Sequence, residues 1–178
     1  MKSKKIDYNK LKVWAYELES ESKFFSDDWY LSLYLQIALH TGLRARDILS
    51  LKKDNFDFEN NTFDITTQKT KSDSVFALPK KVIKNVQIIG FDDVFKNKKY
   101  GSIYSLTWVN KRLKKQFGTQ GVSTHSIRKS VGHIAYEFGG INGARNILTH
   151  SNFKHTATYL ELDKIERLNM QKKMFNLE

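Results

Sequence analysis

The 178-residue sequence has no cysteine, which excludes disulfides and thiolate metal sites and suits a reducing compartment, here expected to be the cytoplasm. Proline is nearly absent too: Pro79 stands alone, with no low-complexity linker and no internal repeat, so one compact unit is expected. No apolar run approaches the roughly 18 residues of a membrane span, and the cationic start "MKSKKIDYNKLK" is not followed by the apolar stretch of a secretory signal. Neither a membrane partner nor export is expected. Acid is missing locally, since Val94 to Tyr136 holds no aspartate or glutamate.

That same window carries nine lysines and arginines, and the whole chain has a formal net charge of +11 with a pI near 9.7. A polyanionic partner follows from this, and "NKRLKK" with "HSIRKS" reads as a surface facing nucleic acid. The bland alternative is a solvated face in a lysine-rich protein. Arginine discriminates better than lysine here. Only six of the 30 basic residues are arginine, so an arginine in this chain hints at a need for a planar, bidentate donor.

The periodicity predicts a mostly helical α+β chain. "SDDWYLSLYLQIALHTG" offers Ser26 or Asp27 as an N-cap, a dense apolar body and Gly42 as the stop, which makes a buried helix. "RARDILSLKK" continues as a short helix with Ile48, Leu49 and Leu51 turned inward. "NTFDITTQ" and "SVFALP" flank the polar "KTKSD" as a β-hairpin with a lysine-bearing tip. Four further helices are expected. They are "KKVIKNV", "SLTWVNKRLKKQFG" between Ser105 and Gly118, "STHSIRKSVGHIAYEFGG" ended by Gly139 and Gly140, and "NGARNILTH" capped by Asn142. In the third of these, Ile127, Val131, Ile134, Ala135 and Phe138 form the apolar stripe. The tail "DKIERLNMQKKMFNLE" is amphipathic through Ile165, Leu168, Met174 and Phe175, so it must pack on something.

The most unusual segment is "LTHSNFKHTATYL", too polar for a simple amphipathic helix. At about 100° per residue, the separation of His150 from Tyr159 puts them on opposite faces of any single helix. They can meet only if the chain breaks after His150, and Ser151 and Asn152 are suitable cap residues for a new helix. Without such a break, Tyr159 is a packing residue beside Leu160. His125 and Arg128 share a helical face at i and i+3, opposite Val131 and Ile134, and are expected to point away from the core. Arg44 follows a glycine turn at a helix start. Two arginines, two histidines, a hairpin lysine and a tyrosine suit a phosphodiester: guanidinium forks clamp nonbridging oxygens, and surrounding cations help a phenol act as nucleophile.

The elements "TGLRARDILSL", "QKTKSDSVFALP", "HSIRKS" and "LTHSNFKHTATYL", in this order and spacing, resemble the catalytic domain of the tyrosine recombinases, also called phage integrases, from about Asp28 to Tyr159. A His-x-x-Arg alone would carry almost nothing; the ordered set is specific. The resemblance implies that fold, with a small antiparallel sheet, and cleavage and rejoining of double-stranded DNA at a specific site through a 3′-phosphotyrosyl enzyme. It implies no metal, no cofactor and assembly as a multimer on DNA. Arg44 and Arg128 would bind the scissile phosphate, with His125 assisting proton transfer. His150 would hydrogen-bond a nonbridging oxygen, and Tyr159 would be the nucleophile. Lys69 would protonate the departing 5′ oxygen, with Lys71 its rival. Asp47, where a glutamate often follows the first arginine, would orient Arg44. Arg46, Lys71, Lys111, Arg112, Lys114, Lys115 and Lys129 are the candidate DNA contacts.

The chain departs from the usual pattern in two further ways. Thr149-His150 replaces the common Gly-His, and the 178 residues leave no room for a separate core-binding domain. The chain is then an excised catalytic domain, or one of the compact recombinases. Residues 163–178 are open to exchange between protomers or to docking on their own chain. A type IB topoisomerase and a catalytically silent DNA-binding regulator are the competing functions. His40, His133 and His155 lack partners at ligand spacing and are expected to pack or face solvent, and Trp29 and Trp108 to lie in the core.

Overall fold

The computed structural model describes residues 3–162, except 70, 119 and 151. Seven helices and a three-stranded sheet are found among them: α1 (Tyr8–Glu21), α2 (Asp27–Thr41), α3 (Ala45–Leu49), β1 (Phe56–Asp57), β2 (Thr62–Thr66), β3 (Asp73–Ala77), α4 (Lys80–Gln87), α5 (Leu106–Phe117), α6 (Thr124–Ile147) and α7 (Phe153–Leu160). The expected C-terminal helix lies outside the described residues.

Helix α2 is the axis of the fold. The Ser26 hydroxyl accepts from Trp29 N–H at its start, and Gly42 closes it at φ 62, a conformation that costs glycine little. Between these caps nearly every side chain is buried, including polar Ser32 and Gln36. These two side chains bond to one another and to α1: Ser32 Oγ donates to Ala15 O, and Gln36 Nε2 donates to Ser32 Oγ, while Gln36 Oε1 has no partner among the described residues. A helix hydrophobic all round has to be wrapped by others, here α1, α4 and α6.

Helix α1 has no counterpart in the sequence reading, although Leu11, Trp14 and Ala15 are buried at helical spacing and Asp7 caps Lys10 N–H. Its few apolar positions are diluted by charge. Strand β1 is likewise additional. The sheet runs β1-β2-β3, all antiparallel, with Phe56 opposite Phe63 and Phe63 opposite Phe76. Those three rings stack in sequence, with centroids 5.2 and 5.5 Å apart, on the buried face.

Two expectations about α6 need correction. The Gly139 and Gly140 backbones leave helical geometry, so the first limb of α6 ends there as expected and a second limb follows across a kink, but Asn142 lies inside that second limb rather than capping it. Phe138, placed in the apolar stripe, is 89% exposed because the kink carries it clear of the core, and Ile134 and Ala135 are only half-buried. Beyond the kink, Ala144 and Leu148 join Leu160 and Leu162 in a small second cluster. Gly132 permits that packing: a Cβ there would lie 2.8 Å from both Leu148 Cδ1 and Leu160 Cδ2. Among the described residues no helix is long and apolar enough to cross a membrane.

Candidate functional site

Arg44 is the N-cap residue of α3, delivered by the Gly42 turn, and its Nη1 is buried without a hydrogen-bond partner. A buried guanidinium nitrogen left unbonded is costly unless something else fills the position. It lines a cavity of about 480 Å³ together with Arg46, Asp47, Lys69, His125 and Arg128. The hairpin supplies Lys69, the first turn of α6 supplies His125, and the next turn supplies Arg128.

Arg128 is buried at 3% exposure, contrary to the expectation that it points away from the core. Its Nη1 donates to the carbonyl of Gly42 and its Nη2 to that of Leu148. The reason is local: both carbonyls lie at helix C-termini, where no amide reaches them. Arg128 thus ties the end of α2 to the end of α6. Burial, then the neighbouring Arg44 cation, pulls its pKa down to about 10, with Tyr159 and Asp47 opposing.

The chain breaks between α6 and α7, with Asn152 as the N-cap accepting from His155 N–H. His150 and Tyr159 meet through that break, with ring centroids 5.6 Å apart and planes at 88°. Thr149 takes φ 48 to make the turn, a left-handed conformation that a β-branched residue rarely adopts. The Tyr159 hydroxyl donates to the backbone carbonyl of His125 at 3.0 Å. Burial raises its pKa to about 12 and outweighs the lowering by Arg128 and Arg44, so the phenol is held protonated. On the histidines burial acts the other way, and the cations Arg128 and Arg44 add to its lowering. His150 is lowered to about 4, and His125 falls below its usual value with Lys69 contributing. Both imidazoles are neutral at pH 7.

Other expected residues are placed differently. Asp47 makes no hydrogen bond to Arg44. It is buried, and its Oδ1 accepts from Gln68 N–H at 3.0 Å, so it anchors the residue before Lys69. Lys71 is exposed at φ 51 and does not line the cavity. Arg112 pairs with Asp28 and lies over the Trp108 ring, and buried Lys129 has its ammonium 3.4 Å from the Glu161 carboxylate, so both face protein partners. Lys111, Lys114 and Lys115 are exposed on α5, and Arg46 is exposed at the cavity. Trp29 is in the core while Trp108 is half-buried; buried His133 is lowered to about 4, burial coming first and then Lys5 and Lys129. Gln68, Thr124 and Thr156 were missed. Each stands next to, or one helical turn from, an expected residue, which was the available signal.

The phage integrase family model matches residues 15–166, spanning every one of these side chains. The chain belongs to the phage integrase family. As a family member it is 26% identical over 152 residues to a probable integrase/recombinase of Acholeplasma phage L2, a match covering 79% of this chain and 52% of that one. The chain therefore spans about half the length of that curated relative. The fold is also that of XerH site-specific recombinase bound to palindromic difH substrate, at TM-score 0.74 and 17% identity over 99% of this chain and 54% of that one. XerA recombinase superposes at TM-score 0.70 with 16% identity, over 100% of this chain and 67% of that one. This integrase-family chain lines one cavity with three arginines, Arg44, Arg46 and Arg128, together with Lys69 and His125.

Proposed function

We infer that the chain is the catalytic unit of a site-specific tyrosine recombinase, acting in the cytoplasm on double-stranded DNA. The observation that carries the reading is the meeting of Tyr159, His150 and His125 beside a cavity lined by Arg44, Arg128 and Lys69. Arg44, with its unbonded Nη1, and Arg128 hold the nonbridging oxygens of the scissile phosphate and stabilise the charge that builds on them. His150 donates to one of the same oxygens.

Tyr159 Oη attacks phosphorus and its proton passes to neutral His125. The bond from phosphorus to the 5′ oxygen breaks, and Lys69 gives that oxygen a proton. The products are a 3′-phosphotyrosyl enzyme and a free 5′ hydroxyl, which attacks the same linkage in reverse on a second DNA end. The exchange conserves the number of phosphoester bonds. Lys69 is favoured over Lys71 by its place in the cavity wall. Subunits assemble on DNA.

The test is covalent capture. A duplex selected from a randomised pool by adduct formation, then nicked so that the cleaved strand escapes, should trap wild type as a protein-DNA adduct. Tyr159→Phe should give none, and an undiminished adduct from that variant would overturn the reading.

A further inference from the structure

Thr156 has no role in the chemistry above, yet it is fully buried one helical turn before Tyr159. Its Oγ1 lies 3.1 Å from His150 Nδ1 and 3.4 Å from the carbonyl of Asn152, its own helical neighbour at i−4. A hydroxyl has one proton to give. Given to Asn152, it would leave Oγ1 accepting from a protonated Nδ1 and His150 with a bare Nε2. Given to Nδ1, the nearer of the two, it forces the ring proton onto Nε2.

We propose that Thr156 is a positioning residue: its hydroxyl donates to His150 Nδ1, fixing the Nε2–H tautomer and locking the histidine to the helix that carries Tyr159. The choice matters because His150 is kept neutral by burial and by Arg128 and Arg44, so it carries one ring proton and only one of its nitrogens donates. On the recombinase reading, on which the consequence rests, a protonated Nε2 donates to the phosphate whereas a bare one repels it. The same bond sets the approach of the rings of His150 and Tyr159.

The test has two arms on the full chain. In the first, long-range proton-nitrogen spectra of histidine-labelled protein at pH 7 report the tautomer without any DNA. Wild type and Thr156→Ser should show His150 protonated on Nε2, and Thr156→Val, which keeps the shape and loses the hydroxyl, should show a mixture shifted toward Nδ1–H. An unchanged tautomer in Thr156→Val overturns the proposal. In the second arm, adduct formation on the captured duplex should slow about tenfold or more in Thr156→Val, the usual cost of losing a histidine's supporting partner. Most of the rate should return in Thr156→Ser. In a His150→Ala background the same substitution should cost nothing further, whereas an additive loss would mark a purely structural threonine and sink the proposal. Failure of wild type to form any adduct would strike the recombinase reading alone, since the spectra stand without it.

Discussion

Arg44 and Tyr159 stand on supports of unequal depth. Arg44 follows α2, whose side chains are buried almost all round in the main core, and the Gly42 turn before it is held by Arg128. Tyr159 rides on the eight residues of α7, whose buried cluster among the described residues is Ala144, Leu148, Leu160 and Leu162, with Tyr136, Ile141 and Ile147 packed against it. A turn with Thr149 at positive φ enters α7, and another with Glu161 leaves it. Arg44 is thus held by the main core, while among the described residues the Tyr159 phenol is held by the smaller cluster and its hydrogen bond to the His125 carbonyl. An opening of α7 would cost less than an opening of α2, because less apolar surface would return to water.

Arg128→Ala would damage both supports at once. It removes the guanidinium from the cavity and leaves the Gly42 and Leu148 carbonyls without a donor, so adduct formation should vanish and urea unfolding should show a loss on the order of 3 kcal/mol. A smaller effect on adduct formation separates the supports: Leu33→Ala in α2 and Leu160→Ala in α7 each empty a buried leucine site, at a stability cost of about 2–5 kcal/mol. Hydrogen exchange should show Leu33→Ala lowering protection throughout, and Leu160→Ala lowering it first in α7 and slowing adduct formation per folded molecule. Equal spreading of the two effects would dissolve the distinction.

Acid should weaken the α7 side first. His150 has a folded pKa near 4 against about 6.5 when unfolded, and burial has the same effect on His133, so the unfolded chain binds more protons between those values. Their contribution is intact above pH 6.5 and is lost as pH falls toward 4. The urea midpoint should therefore drop across that window, and should drop less in His133→Asn. The mildest change is Thr149→Gly, which relieves a left-handed β-branched residue and should raise stability by about 1 kcal/mol.

The chain's fold was legible wherever local signals agreed with tertiary ones. Ser26 and Gly42 bound α2, Ser105 and Gly118 bound α5, and alternation marked β2 and β3. It was not legible where packing overrode them: α1 hides three buried residues among charges, and Phe138, at helical spacing with the apolar stripe of α6, is exposed beside the glycine kink. At the site, the break between His150 and Tyr159 follows from helical geometry and a cap at Asn152. The partners of Asp47, Arg112 and Lys129 do not, because they lie on elements distant in sequence: Gln68, Asp28 and Glu161.

Residue type, order and spacing by themselves determined the family to which the chain belongs, since the ordered set of motifs from Gly42 to Tyr159 is specific where each alone is not. Tertiary structure alone decided the state of its side chains. Arg128 is buried because two helix ends need its donors, Tyr159 stays protonated because burial outweighs the arginines, and Thr156 reaches His150 because α7 folds back across the break. Those outcomes depend on distances and dielectric surroundings between segments far apart in the chain, and no local pattern encodes them.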